Sequence, residues 1–376
     1  MSIKVLWYLS FADGRFPWCP DGLLDLDSER YVTLAKTIEA CGFYGAMVAT
    51  WPNDPLVSAA FAASHTRRIK FLVATYARMT PPKLLAQQML SFDTLSGGRL
   101  LLNLINGRDN IMRAYGITTP HAERYTLGID YWRKFCFSYK QGSHSWFPNT
   151  PLHLTPSQED GVELWGTGDS PAGVAHTAEL ADVYLTMMRE TAVLKPKFDN
   201  ARLAAAIHGR ALKGMGALAS VTVRQSCAEA LECFYGMFET TGVDVLRDKL
   251  NETILRRTAG RQDFTSFQAP DARRQGWLES LRKGRLPSLE ALHLEGHLYA
   301  GITAWAPLDI FGNGSSATYF VGSGTQIAEQ IRGYQADLGL SALILSGWPL
   351  IDEARQTATW LLPELTPTLC AVAEQH

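Results

Sequence analysis

FLVATYARMTPPKLLAQQMLSFDTLSGGRLLLNLING, residues 71–107, holds one complete strand-helix-strand unit. Phe71 to Thr75 is a continuous apolar run of strand type. Thr80 offers a side-chain oxygen as an N-cap, and Pro81 and Pro82 suit a first helical turn, whose N–H groups have no intrahelical partner. Leu84, Leu85, Met89, Phe92 and Leu95 then recur near a 3.6-residue period, and Gly97 with Gly98 supplies a left-handed stop. Leu100 to Ile105 is a second buried strand. A helix of that length returns the chain to its starting end, so the two strands run parallel, in a barrel or an open sheet.

The same alternation extends in both directions. Strands are predicted at Ile3–Leu9, Tyr44–Thr50, Val162–Gly166, Asp182–Thr186, Leu218–Val223 and Ala342–Ser346. Helices are predicted around Tyr31–Ile38, stopped at Gly42, and at Pro55–Ser64, His121–Phe135, Pro171–Leu180 and Thr325–Leu338. Eight strand-like runs separated by helices fit the α/β class as a (β/α)8 TIM barrel better than an open doubly wound sheet. The chain then reads as a single barrel domain over residues 1–376, with insertions at about 136–161 and 225–317 above the C-terminal face. The active site belongs at the strand C-termini.

Composition narrows the partner. A formal charge of −2 and a pI near 6.5 give no electrostatic footprint for nucleic acid or an anionic membrane. The N-terminus, MSIKVLWYLSFADG, lacks a signal-peptide pattern, and no apolar run approaches the roughly 18 residues of a membrane span. Six scattered cysteines without metal-type spacing fit free thiols in a reducing, cytoplasmic compartment. A small molecule is the expected partner.

A barrel would gather the polar and aromatic residues that follow each strand: Asp13 and Arg15, Thr50 to Asp54, Arg78, Asn106 to Asp109, Thr167 to Ser170, Ser220, and Ser346 to Trp348. Asp and Asn also populate loops for turn-forming reasons. His121 and Tyr125, four apart in HAERY, share a helix face and either clamp a planar ring or simply cap and pack. GTGDSPAG at 166–173 opens a helix and is either a phosphate cradle or a plain turn. No GxSxG elbow and no metal-type cluster occurs, which disfavours hydrolase and metalloenzyme readings. Residues 256–285 carry seven arginines and read as a solvated, poorly ordered loop or as a mobile, anion-guiding lid.

Taken in order, LWYLS at 6–10, NDPLVSAA at 53–60, TPP and DTLSGGR within 80–99, NLING at 103–107, HAERY, DSPAG with ADVYLT at 169–186 and LSGWP at 345–349 resemble one family across nearly the whole chain. It is the bacterial-luciferase-like flavin-dependent monooxygenases, and the nearest branch is that of the alkanesulfonate monooxygenases. The resemblance implies reduced FMN as cofactor, supplied by a separate NAD(P)H:flavin reductase, with O2 as co-substrate and a homodimer or homotetramer as the assembly. One oxygen atom goes to the substrate and the other leaves as water. By the same resemblance Thr50, Asn106, His121 and Tyr125 contact the isoalloxazine ring, and Asp169 and Ser170 hold the phosphate; Ser220, Trp348 and Asp13 are the expected catalytic residues.

Where the sulfonate branch has an Arg and a His on strand seven, this chain has Leu218 and Ser220, and residues 302–317 contain no Arg. A sulfonate in a dry site needs charge-assisted donors. The expected substrate is therefore larger or more apolar, lined by Phe11, Trp51, Met187, Trp348 and Trp305, unless those aromatics are core. Arg15, Arg78 or a lid arginine remains available for an anion. Two alternatives stand beside the oxygenase: a deazaflavin (F420)-dependent oxidoreductase, and a catalytically silent flavin-binding protein.

Overall fold

The computed structural model describes residues 3–15, 18, 22–48, 50, 53–107, 109–146, 148–168, 170–313 and 317–365. Its strands are β1 (Lys4–Leu9), β2 (Gly45–Val48), β3 (Lys70–Tyr76), β4 (Leu100–Ile105), β5 (Glu163–Thr167), β6 (Val183–Met187), β7 (Gly214–Arg224), β8 (His293–Glu295), β9 (Leu298–Ala300), β10 (Thr318–Ser323) and β11 (Leu340–Ser346). The helices that carry the argument are α1 (Ser28–Ala40), α2 (Pro55–Ser64), α3 (Pro82–Ser96), α4 (Asp109–Ala114), α5 (His121–Gln141), α6 (Pro171–Leu180), α7 (Thr191–Ile207), α8 (Cys227–Thr241), α9 (Val243–Arg257), α10 (Ala272–Arg282), α11 (Leu289–Leu292), α12 (Gly324–Leu338) and α13 (Leu350–Trp360).

β1 to β7 stand side by side in chain order, and β11 pairs with both β7 and β1, so the ring closes as an eight-stranded parallel barrel. The expected (β/α)8 architecture is the one observed. In the founding unit, Phe71 pairs with Leu100 and Tyr76 with Ile105, and α3 ends on Gly97 at φ 71°, as its sequence predicts. Its start differs. The residue before the helix is Pro81, without a side-chain cap, while the Thr80 carbonyl instead accepts from the Tyr131 hydroxyl of α5 at 2.7 Å. Arg99, just after the glycine stop, is buried and donates to the Ser96, Ile69 and Ala63 carbonyls and to Thr66 Oγ1, stitching α2 and α3 to the sheet.

Side chains alternate between two cores. Trp7, Phe71, Leu102 and Leu104 face the helices, whereas Leu6, Leu72, Leu101, Trp165 and Ile344 fill the barrel. At the closed end, Lys4 Nζ meets both Glu163 carboxylate oxygens at 2.7 and 3.0 Å, and Glu163 also accepts from Trp165 Nε1. The other end is therefore the one left for a ligand.

β7 is longer than its apolar run predicts. Its first half pairs with β6 and β11, and Ser220 to Arg224 run beyond and pair in parallel with β10, a strand the sequence reading missed. The hairpin β8–β9 extends that edge. Against it, α8 to α11 bury Phe234, Phe238, Leu246, Leu250, Trp277 and Leu278 in a second hydrophobic core. α5 runs on to Gln141, past its predicted end at Phe135.

Residues 256–285 are ordered around α10, with Arg274 buried and Arg256, Arg257, Arg261, Arg273 and Arg285 exposed. Arg282 donates to the Phe264 and Phe267 carbonyls, Arg261 to the Thr258 carbonyl, and buried Arg274 to Asp271 and the Asp309 carbonyl. The guanidinium forks terminate turns and pair with carboxylates, a use that periodicity does not reveal.

Candidate active site at the open end of the barrel

The inward parity of β1 and β3 brings Tyr8 and Tyr76 to the rim, where Thr50 Oγ1 lies 2.8 Å from the Tyr76 hydroxyl. Burial, together with the neighbouring Tyr76 phenol, raises the Tyr8 phenol well above its ordinary pKa. Both tyrosines went unrecognised in the sequence, although Leu6 and Ala74 set their parity two residues earlier. Across the barrel, Met187 and Leu218 are register partners at the ends of β6 and β7. Ser220 is fully buried and shares a 3.0 Å hydrogen bond with Ser346 of β11.

Three aromatic rings follow one another along this rim. Tyr8 lies 6.1 Å from Trp305, and Trp305 lies 6.1 Å from Trp348, edge-on. Trp348 is 5 % exposed, and its indole N–H has no partner among the described residues. Asp13 holds this side in place. Its carboxylate accepts from the backbone N–H groups of Gly14 and Leu350, both at 2.8 Å, so the first loop is tied to the start of α13 directly after Trp348. Burial raises the Asp13 pKa despite those two donors.

A second cluster forms where the loops after β4 and β5 meet. Asn106 is buried at the end of β4, with both amide atoms unpartnered among the described residues. Tyr125, one turn into α5, approaches Ser170, whose hydroxyl lies 3.4 Å from the Tyr125 hydroxyl and caps α6 by accepting from Gly173 N at 3.1 Å. GTGDSPAG needs its glycines for this. A methyl group on Gly168 would lie 2.5 Å from Gly173 Cα, so strand end and helix start touch backbone to backbone. His176, on the next turn of α6, is wholly buried and edge-on to Tyr125 at 6.0 Å. Desolvation lowers its pKa to about 4.

Other expected residues are placed differently. The Phe11 ring stacks on Tyr31 of α1 at 4.4 Å, the outward parity of Leu9 carried on, and so packs against a helix. Arg78 takes a left-handed φ of 71° and donates to Thr119 Oγ1 at 2.9 Å, and Arg15 is exposed. Trp51 and Asp169 lie outside the described residues, as does the side chain of His121, whose backbone opens α5. Among the described residues no group of three or more His, Cys, Asp or Glu side chains could hold a metal ion, and no helix is long and apolar enough to cross a membrane.

Solved structures share this architecture. A long-chain alkane monooxygenase, LadA, superposes with a TM-score of 0.70 at 16 % identity, over 97 % of this chain and 91 % of that one. A riboflavin lyase, RcaE, solved with modified FMN and riboflavin, gives 0.69 at 16 % identity over 97 % and 91 %. The coenzyme F420 dependent tetrahydromethanopterin reductase of Methanopyrus kandleri gives 0.61 at 13 % over 97 % and 99 %. At such identities the likeness is one of fold. Residues 18–341, however, match the family model of luciferase-like monooxygenases, so the chain belongs to the luciferase-like monooxygenase family.

Proposed function

We propose that the protein is a two-component monooxygenase that takes reduced FMN from a separate NAD(P)H:flavin reductase and uses O2 to oxygenate a small organic substrate more apolar or larger than an alkanesulfonate. The convergence of Asn106, Tyr125 and Ser170 carries this reading. A buried carboxamide with both atoms unpartnered is costly unless a ligand completes it, and a flavin ring edge offers the matching donors and acceptors. Ser170 at the start of α6 suits the phosphate, where helix N–H groups and dipole favour an anion. Thr50 and Tyr125 join Asn106 in holding the ring, with His121 and Asp169 proposed beside them.

Reduced flavin would supply the oxygen-activating chemistry. The chain's own work is to bind, orient and exclude water. Tyr8, Trp305, Trp348, Leu218 and Met187 form an apolar rim that disfavours water and a strongly hydrated anion. Ser220 and Trp348 are the donors proposed nearest the reacting atoms, and Asp13, bound to backbone, serves by fixing the segment that bears Trp348. Assembly as a homodimer or homotetramer belongs to the same proposal.

Anaerobic titration with reduced FMN and with reduced deazaflavin, followed by 18O2 and a panel of apolar and sulfonated compounds, tests the reading. Binding of reduced FMN and 18O in an apolar product are expected. Binding of deazaflavin alone, or peroxide release with every compound, would overturn it in favour of hydride transfer or a silent flavin binder.

A further inference from the structure

His176 is buried with neither ring nitrogen bonded to any described residue, and none of the residues proposed above to hold flavin accounts for it. It does not stand alone. Gly128 lies within the unbroken helix α5, and a methyl group built there would lie 2.6 Å from Asn106 Oδ1 and 3.4 Å from His176 Nε2. One point is thus closely approached by a carboxamide from β4 and an imidazole from α6, both unpartnered, over a helix residue with no side chain of its own. A helix-interior glycine costs about 1 kcal/mol relative to alanine, so a residue that leaves this space clear needs a reason. The imidazole also backs the Tyr125 ring at 6.0 Å.

We infer that His176 is a cofactor-positioning residue, which fixes the orientation of the Asn106 carboxamide across the gap over Gly128 and supports Tyr125 from behind. A neutral imidazole offers one donor and one acceptor. In the structure the amide and the imidazole are not hydrogen-bonded to each other, and a single bridging water would link them. The carboxamide then presents one defined edge, oxygen or nitrogen, to its ligand. Without the imidazole both amide orientations become equivalent. The inference rests on flavin occupying this corner.

The test compares wild type with His176→Phe, which keeps the volume and removes both polar atoms, and His176→Gln, which keeps one donor and one acceptor. Reduced-FMN affinity is read anaerobically by quenching of the protein's tryptophan fluorescence, and folding by circular dichroism. His176→Phe is expected to weaken FMN by about tenfold or more, with His176→Gln restoring affinity to within about threefold of wild type. Equal affinity in folded His176→Phe and wild type overturns the inference, as does a His176→Gln protein as weak as His176→Phe. Should the phenylalanine variant not fold, 15N resonances of the His176 ring in wild type decide. A shift on adding FMN supports the link, and unchanged resonances overturn it. A wild type that binds neither reduced FMN nor reduced deazaflavin removes the proposed function itself, an outcome separate from equal binding by the variants.

Discussion

Ser220 and Ser346 face each other at 3.0 Å in matched register, at the seam where β7 meets β11 and the ring closes. Both hydroxyls are buried, and the bond to Ser220 relieves Ser346 of its desolvation. Ser220→Ala should cost about 1–2 kcal/mol, because it strands Ser346, and adding Ser346→Ala should cost little more. Urea unfolding of the two singles and the double measures this. Strict additivity would show that the pair is not coupled.

A tighter anchor lies at the end of β7, at the rim of the extension. Arg224 grips both carboxylate oxygens of Glu353 at 2.6 and 3.0 Å, and Glu353 is almost wholly buried, with its pKa raised by that burial. Arg224→Met leaves an unpaired buried carboxyl and should destabilise by about 3–5 kcal/mol. The double variant Arg224→Met with Glu353→Met should recover most of it. If the single is as stable as wild type, the pair is not what joins α13 to β7.

Gly128→Ala would ordinarily stabilise a helix interior by about 1 kcal/mol. Here the new methyl would displace the Asn106 carboxamide from 2.6 Å, so no gain in thermal stability and weaker FMN binding are expected. A more stable variant with unchanged FMN affinity would contradict the placement of Asn106.

His176 also sets a pH dependence. Its folded pKa of about 4 lies below its unfolded value of 6.5, so the unfolded chain binds the proton first as pH falls. Stability from this group is unaffected above pH 6.5 and declines between 6.5 and about 4, by on the order of 3 kcal/mol in all. In His176→Phe that part of the decline should vanish. Superimposable stability curves for wild type and variant over this interval would disprove a buried neutral ring.

The barrel was legible because its signals are local. Phe71 to Thr75, the 3.6-residue spacing through Phe92, and Gly97 each specify an element without help from distant chain. The extension was not. Thr318 to Ser323 becomes a strand only because β7 continues past its barrel partners to meet it, a fact held in three dimensions. At the site, the loops after β4 and β5 could be read from HAERY and GTGDSPAG, and Tyr125 and Ser170 do meet. Tyr8 and Tyr76 were missed, and the choice between pocket and core was left open for Phe11, for want of carrying the two-residue alternation one step beyond each strand. The order of 256–285 was not legible, because the carbonyl partners of Arg282 lie in turns that composition does not announce.

The continuation of β7 past the ring has a bearing on how such a protein can change. One unbroken backbone runs from Leu218 at the mouth to Arg224 beside the second core, against which Tyr319 and Val321 pack. Exchanging bulky groups in that outlying core would tug on the pocket wall from the rear, so selectivity for a new compound could be retuned without touching any residue that meets it.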